Sequence, residues 1–129
     1  MTTTHILTAV ATALAIATAA PRAHHASAAE FDGNKPVKLV GTITKVEWIN
    51  PHTWIYISVK GPDGSVVEWK VQGGSPNGLL RRGVKRAALL PGTVIAVEGA
   101  RAKDGTPKVN GRRVTLADGQ ALSFDFAPQ

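Results

Sequence analysis

Residues 54–72 read WIYISVK-GPDGS-VVEWKVQ, and this stretch decides the fold. In its first run, aliphatic side chains alternate with aromatic and hydroxyl ones: Ile55, Ile57 and Val59 against Trp54, Tyr56 and Ser58. In its second run, apolar residues alternate with charged ones: Val67, Trp69 and Val71 against Glu68 and Lys70. A period of two places the two sets on opposite faces of a strand. Because Pro62-Asp63-Gly64 between the runs favours a turn, the stretch predicts a β-hairpin with an aliphatic inner face.

Strand-forming residues continue on both sides of this hairpin. β-branched and aromatic residues over 37–49 predict a long first strand, with Gly41 at a bulge or bend, that ends at Asn50-Pro51. Downstream, residues 93–99, 112–116 and 121–126 are predicted to be strands, and Asp118-Gly119 favours a hairpin between the last two. The chain therefore has five or six predicted strands.

Between the third and fourth strands the apolar spacing becomes helical. Ser75 before Pro76 is typical of a helix N-cap with proline in the first turn. Apolar residues then recur at helical spacing until Pro91-Gly92, which predicts one or two short helices. A helix at this position is typical of the oligonucleotide/oligosaccharide-binding (OB) architecture. We therefore predict an all-β fold over residues 37–129, an OB-like barrel of five to six strands, with an open sandwich as the alternative.

The amino terminus has the layout of an export signal. Residues 6–20 carry no charge and form a stretch too short and alanine-rich to span a bilayer well. Small residues follow, as in a secretory signal peptide, which would form a helix ahead of the barrel. Cleavage after Ala23 would make residues 1–23 the signal and 24–36 an extended arm, whereas cleavage after Ala28 satisfies the Ala-x-Ala rule better. The mature protein is expected in the periplasm or outside the cell, without a transmembrane segment.

The composition restricts the chemistry of the protein. The 129 residues suit one domain, and the absence of cysteine excludes disulfides, thiolate metal sites and cysteine nucleophiles. The sequence has no glycine-rich phosphate loop, G-x-S-x-G elbow or H-E-x-x-H motif, so a non-enzymatic protein is expected. A net charge of +6 on an OB-like domain would ordinarily suit nucleic acid. For an exported protein we expect a small molecule or an anionic cell-envelope component instead.

The first candidate site is an aromatic surface beside a loop. Ligands of small OB-type barrels lie on strands two and three, near the loop that joins strands one and two. That loop is Asn50-Pro51-His52 here, and Trp54 and Tyr56 follow it on the outer face of strand two. We predict a stacking surface for a sugar ring, a planar ligand or a peptide, formed by Trp48, His52, Trp54 and Tyr56, with Glu68 and Lys70 nearby. In the alternative, the arm covers Trp54 and Tyr56 with Phe31.

Histidines make a second candidate site. If cleavage follows Ala23, His24 offers an amine and an imidazole, His25 adds an imidazole, and His52 supplies another. Nitrogen-only ligation suits Cu(II), Ni(II) or Zn(II), so a periplasmic copper- or zinc-binding protein is the alternative function. The competing interpretation is a polar pair on an arm and a histidine that hydrogen-bonds within its own turn. Cleavage after Ala28 would remove His24 and His25.

A third candidate is a basic cluster in the helical connection. Arg81, Arg82, Lys85 and Arg86 lie within six residues, and Arg112-Arg113 add further positive charge downstream. On a short helix, Arg82 and Arg86 would share one face, where they could bind a phosphate or a carboxylate. The simpler interpretation is a solvated, charged helix edge.

Several short strings stand out in their order along the chain. They are His24-His25, Ala29-Glu30-Phe31-Asp32, GTITKVEW at 41–48, Asn50-Pro51-His52, Arg81-Arg82-Gly83, Ala102-Lys103-Asp104-Gly105 and Val114-Thr115-Leu116-Ala117-Asp118. Together they cover nearly all of the expected mature chain, which in this respect resembles domain of unknown function 6152, a family of small exported bacterial proteins. The resemblance implies export and a small β-barrel, and it implies no particular activity.

Overall fold

Six strands run through residues 27–125, the part of the chain that this computed structural model describes. In chain order they are β1 (Phe31–Trp48), β2 (Thr53–Lys60), β3 (Val66–Gln72), β4 (Val94–Ala102), β5 (Lys108–Leu116) and β6 (Ala121–Ser123). The predicted all-β fold, with a helical connection between strands three and four, is confirmed. The predicted signal-peptide helix, in residues 1–23, lies outside the described residues. No helix within residues 27–125 has the length and apolar character needed to cross a membrane.

The strands close into a ring. Neighbours pair antiparallel in the order β3-β2-β1-β4-β5-β6, and β3 also pairs with β5 in parallel, with Val71 opposite Val109. This second pairing joins the two ends of the row β3-β2-β1-β4-β5, so five strands form a closed circuit and β6 lies beyond β5. Such a ring matches the predicted OB-like barrel rather than the open sandwich.

The inner faces of the strands fill the ring with aliphatic side chains. Ile55 and Ile57 of β2 are fully buried, as the alternation predicts. The helical connection adds Leu79 and Leu89 to the same core, and Phe124, just after β6, is among its largest fully buried side chains. Burial of each such side chain stabilises the fold by about 1.5–3 kcal/mol relative to exposure. These contacts therefore hold the helical connection against the ring.

The helical connection begins where the sequence predicts. Ser75 Oγ accepts a hydrogen bond from the Gly78 amide at 3.2 Å, and proline occupies the first turn. The helix lasts only from Pro76 to Arg81, and a 3-10 helix follows at Arg86–Ala88. The prediction of one or two short helices is confirmed.

β1 begins earlier than predicted, at Phe31 rather than at Val37. Its pairing with β4 passes from Asp32 directly to Pro36, so residues 33–35 have no counterpart on β4 and form a bulge. The bulge accommodates Gly33 and Asn34, residue types common in turns, without ending the strand. Part of the predicted arm is therefore a paired strand.

Phe31 packs against β4. It forms a small separate buried cluster with Ala100 and Ala102. The alternative in which Phe31 covers Trp54 and Tyr56 is therefore wrong, because β4 and β2 pair with opposite edges of β1.

The later strands have different bounds from those predicted. β4 extends to Ala102 and β5 begins at Lys108, so these two strands form a longer hairpin than the sequence indicates. β6 stops at Ser123, and the next residue, Phe124, is fully buried in the core. The Phe124 amide still donates to the Arg112 carbonyl at 2.9 Å, which keeps this segment attached to β5.

Candidate functional site

The register of β1 against β2 decides which aromatic rings face out. Glu47 lies opposite Trp54 and Lys45 lies opposite Tyr56, so these four side chains share one face of the sheet. Ile55, between the two aromatic residues, is fully buried, so the shared face is the outer one. Trp54 and Tyr56 are half-buried there, in the orientation that the alternation predicts.

Lysine side chains lie over both rings. The Lys70 ammonium group is 4.1 Å from the Trp54 ring centroid and 5.4 Å from the Tyr56 centroid. The Lys45 ammonium group is 5.2 Å from the Tyr56 centroid. All three distances fall within the range of cation–π contacts. We call the surface formed by Lys45, Glu47, Trp54, Tyr56 and Lys70 the aromatic face.

Glu47 holds two members of the aromatic face in place. The Tyr56 hydroxyl donates to Glu47 Oε2 at 3.1 Å, and the Lys45 ammonium group forms an ion pair with the same carboxylate. The hydrogen bond from Lys45, aided by the one from Tyr56, holds the pKa of Glu47 below its ordinary value. Glu47 in turn raises the pKa of Lys45. Lys70, by contrast, forms no ion pair within residues 27–125.

A cavity of about 350 Å³ adjoins the aromatic face. Tyr56 and Lys70 line it on the hairpin side, and Asp104 and Pro107 of the β4–β5 turn line it with Lys108. Lys70 and Lys108 are neighbours in the parallel β3–β5 pairing, so two lysine stems border the cavity. This arrangement suits a small polar ligand with a ring for the aromatic residues and an acidic group for Lys70.

His52 fixes the loop between β1 and β2 at the border of the aromatic face. Its Nδ1–H donates to the Gly73 carbonyl oxygen at 3.0 Å, so it bonds to the end of β3 rather than within its own turn. Its ring meets the Trp54 ring edge-on, with the centroids 6.4 Å apart and the planes at 75°. The structure thus brings His52 and Trp54 together.

The predicted metal site has no support within the described part of the chain. Residues 27–125 contain no group of three or more His, Asp or Glu side chains placed to hold a metal ion. His24 and His25 lie outside the described residues. A Cu(II) or Zn(II) site that includes them with His52 stays a prediction.

Trp48 does not belong to the aromatic face. It lies opposite Thr53, which is fully buried, and therefore on the inner side of β1. Its ring packs at the margin of the core, and the Arg86 guanidinium carbon lies 4.8 Å from the ring centroid. Trp48 was predicted to join the ligand site, but the pleat of the strand turns it away from Trp54.

The basic cluster is not brought together on one face. The helix ends at Arg81, so the prediction that Arg82 and Arg86 share a helical face is wrong. Arg82 donates from Nη1 to Asp125 Oδ1 at 2.9 Å, and from Nη2 to the Asp125 carbonyl. Arg81 and Lys85 are exposed. The two central arginines therefore have separate partners: a carboxylate for Arg82 and an aromatic ring for Arg86.

Sequence reasoning missed two residues of the aromatic face. The register of β1 shifts between Ile43 and Lys45, so the facing of Lys45 and Glu47 depends on how the strand pairs. The local signal that could have found them is their alternation with Val46 and Trp48, which indicates polar positions on the outer side.

A family model described as a Family of unknown function (DUF6152) matches residues 11–111. The chain belongs to this family. No curated protein matches the sequence. In this DUF6152 protein the matched span includes β1 to β4 and the start of β5, and therefore every residue of the aromatic face. The resemblance drawn from the sequence is confirmed.

Proposed function

We propose that the protein is an exported, non-enzymatic binding module that holds a small ligand or a cell-envelope component on the aromatic face. The observation that carries this proposal is the pair of outward-facing rings, Trp54 and Tyr56, beneath the single ammonium group of Lys70. Outward aromatic surface is a common sign of a contact with another molecule. These rings also lie on the strand where OB-like barrels bind their ligands, with His52 at the adjoining loop.

The charges on the aromatic face favour a ligand with an acidic group. Lys45 is paired with Glu47, whereas Lys70 forms no ion pair within the described residues. A carboxylate near Lys70 would accept a charge-assisted hydrogen bond while an attached ring contacts Trp54 or Tyr56. N-acetylmuramic acid has both features, because this envelope sugar carries a lactyl carboxylate on its ring.

The adjoining cavity has the dimensions for such a ligand. Its volume of about 350 Å³ falls within the range of small-molecule sites. Glu68 and Lys108 on its walls present an acceptor and a donor, which suit the hydroxyl and amide groups of a sugar. A purely apolar molecule would form no hydrogen bonds with these groups.

The test compares N-acetylmuramic acid with N-acetylglucosamine, which lacks the lactyl carboxylate, by isothermal titration calorimetry. We expect the acidic sugar to bind at least about tenfold more tightly. Trp54→Ala is expected to lose measurable binding, because its stacking surface is gone. Lys70→Met keeps the aliphatic stem and removes the charge, so it is expected to bind the two sugars equally weakly.

Trp48→Phe is the matched control for the loss of a tryptophan. Trp48 lies opposite the fully buried Thr53, on the inner side of β1 and outside the cavity, so its replacement is expected to leave sugar binding unchanged. The proposal is wrong if neither sugar binds, or if Trp54→Ala binds both as well as the wild type does.

A further inference from the structure

β5 contains a bulge at Arg112. The β4–β5 register passes from Glu98 opposite Arg113 to Gly99 opposite Gly111, so Arg112 is an extra residue without a counterpart on β4. Bulges redirect side chains that regular alternation would place elsewhere. Arg112 and Arg113 are accordingly both exposed, although they are consecutive in the strand.

Two glycines allow the backbone to adopt this bulge. A Cβ added at Gly99 would lie 2.1 Å from the Asn110 carbonyl oxygen, and one at Gly111 would lie 2.8 Å from a valine methyl group of β3. The Arg112 carbonyl also accepts the hydrogen bond from the Phe124 amide at 2.9 Å. The backbone at Arg112 is thus fixed by close packing and by a hydrogen bond, and the bulge is a built feature of the fold.

Arg112 lines a groove of about 660 Å³. A cross-strand row of polar residues lines the same groove: Lys38 opposite Glu98, Glu98 opposite Arg113, and Arg113 opposite Ser123. Because opposite residues in a sheet share a face, the row forms one continuous strip across four strands.

The charges around this groove are not balanced. Glu98 is shared by Lys38, at 3.5 Å, and Arg113, at 3.6 Å. Asp125, also on the groove, is paired with an arginine of the helical connection. Two negative charges come from Glu98 and Asp125. Four positive charges come from Lys38, Arg82, Arg112 and Arg113. The Arg112 guanidinium has neither an ion pair nor a hydrogen bond within residues 27–125.

Arg112 also lines a second cavity, of about 450 Å³, next to the bulge of β1. Asp32, Asn34 and Lys103 contribute to its walls. Arg112 Nη2 lies 3.8 Å from the position that a Cβ on Gly33 would occupy. Arg112 therefore borders both cavities.

We infer that the groove is an anion site in which Arg112 binds a phosphate group, with Lys38 and Arg113 as flanking cations and the Ser123 hydroxyl as a further donor. The excess of two positive charges matches a phosphate monoester dianion, and the planar guanidinium fork fits two phosphate oxygens. The site shares no residue with the aromatic face, so it is independent of the proposed function. A soluble phosphate ester and the head group of an anionic lipid both present this chemistry.

The test titrates the protein with inorganic phosphate at low ionic strength, followed by NMR shifts of the β5 amides. Arg112→Gln is expected to weaken phosphate binding at least about tenfold, because it removes the unpaired fork. Arg81→Gln is the matched control: it removes the same charge from an exposed position outside the groove and is expected to change the affinity less than twofold. Arg112→Lys keeps the charge without the fork and is expected to bind with intermediate affinity.

Vesicles distinguish the two sources of phosphate. The protein is sedimented with phosphatidylglycerol vesicles and, as a control, with phosphatidylcholine vesicles. Binding to phosphatidylglycerol vesicles alone, abolished in Arg112→Gln, would support the site and assign it to a lipid head group. Absence of vesicle binding together with Arg112-dependent binding of free phosphate would support the site and assign it to a soluble ester. Absence of both kinds of binding, or equal losses in Arg112→Gln and Arg81→Gln, would overturn the inference.

Discussion

The ammonium group of Lys70 lies 4.1 Å from the ring centroid of Trp54, which it reaches from the neighbouring strand of the hairpin. The other two tryptophans of the chain also have a cation over the ring: Arg86 over Trp48 and Arg101 over Trp69. Trp54 differs because its cation also approaches a second ring, that of Tyr56, and because both rings are on the outer face. This contact therefore marks the surface on which ligand binding is proposed.

The depressed pKa of Glu47 makes a pH-dependent contribution to stability. The hydrogen bond from Lys45 lowers this pKa from its ordinary value of 4.5, so the folded protein holds the proton less tightly than the unfolded chain. The stabilisation is present above the unfolded-state pKa and is lost as the pH falls through the folded-state pKa. We expect the melting temperatures of wild type and Glu47→Gln to differ at neutral pH. They are expected to converge when the pH falls below the folded-state pKa of Glu47.

Removal of the Lys45 charge should raise the pKa of Glu47 towards its ordinary value, because the first cause of the shift is then gone. Carbon-13 NMR titration of the Glu47 carboxyl group in Lys45→Met measures this directly. Lys60→Met is the control, since Lys60 is an exposed lysine at the end of β2 and should leave the pKa of Glu47 unchanged. An unaltered Glu47 titration in Lys45→Met would contradict the assignment.

The hydroxyl group of Thr53 is buried without a hydrogen-bond partner within residues 27–125. A buried polar group without a partner costs about 1–3 kcal/mol. Thr53→Val replaces the hydroxyl with a methyl group of similar size and is expected to raise the free energy of unfolding by about 1 kcal/mol in urea. Thr44→Val should give no such gain, because the Thr44 hydroxyl is exposed and donates to the Tyr56 carbonyl. A less stable Thr53→Val would show that the hydroxyl is satisfied.

Arg82 and Asp125, 43 residues apart, join the helix to the segment after β6. Their side chains are 22% and 45% exposed, so solvent screens the pair and limits its energy. A double-mutant cycle with Arg82→Met and Asp125→Asn is expected to give a coupling energy of about 1 kcal/mol. Arg81→Met, at an exposed position one residue earlier, should change the stability by less than about 0.5 kcal/mol. A coupling energy indistinguishable from zero would mean that the pair does not hold the helix.

The bulge in β5 depends on the close approach of Gly99 to the neighbouring strand. A methyl group at Gly99 would meet the Asn110 carbonyl oxygen at 2.1 Å, and backbone cannot move aside as a side chain can. Gly99→Ala is therefore expected to destabilise the protein by about 2 kcal/mol or more in urea. Gly33→Ala is the control, because its nearest neighbour would be at an ordinary contact distance of 3.8 Å. Equal unfolding midpoints for the two variants would contradict the packing at the bulge.

Local patterns in the sequence predict the features of the fold that depend only on residues close together in the chain. Period-two alternation gives the buried faces of Ile55 and Ile57, and the Ser75-Pro76 pair gives the start of the helix. The order of the strands and the helical connection follows from these elements, so the OB-like class can be predicted from the sequence. The outward placement of Trp54 and Tyr56 follows from the same alternation.

Features that depend on distant partners are not accessible in this way. The bulge at Arg112 depends on the pairing of β5 with β4, and the contact between Arg82 and Asp125 joins residues 43 positions apart. A bulge shifts the alternation by one residue, so local periodicity cannot assign the face beyond it. The same limit explains why the sequence leaves open the alternative in which Phe31 covers the aromatic residues, whereas Phe31 packs against β4.

The most direct test of the ligand site is an NMR map of N-acetylmuramic acid on the uniformly nitrogen-15-labelled protein. We expect saturable shifts of the Trp54 indole N–H and of the backbone amides of β2 and β3 around Tyr56 and Lys70, with the Trp48 indole signal unmoved. A titration in which the Trp54 indole signal stays in place, or in which the shifts fall on another part of the protein, would contradict the aromatic face as the binding site.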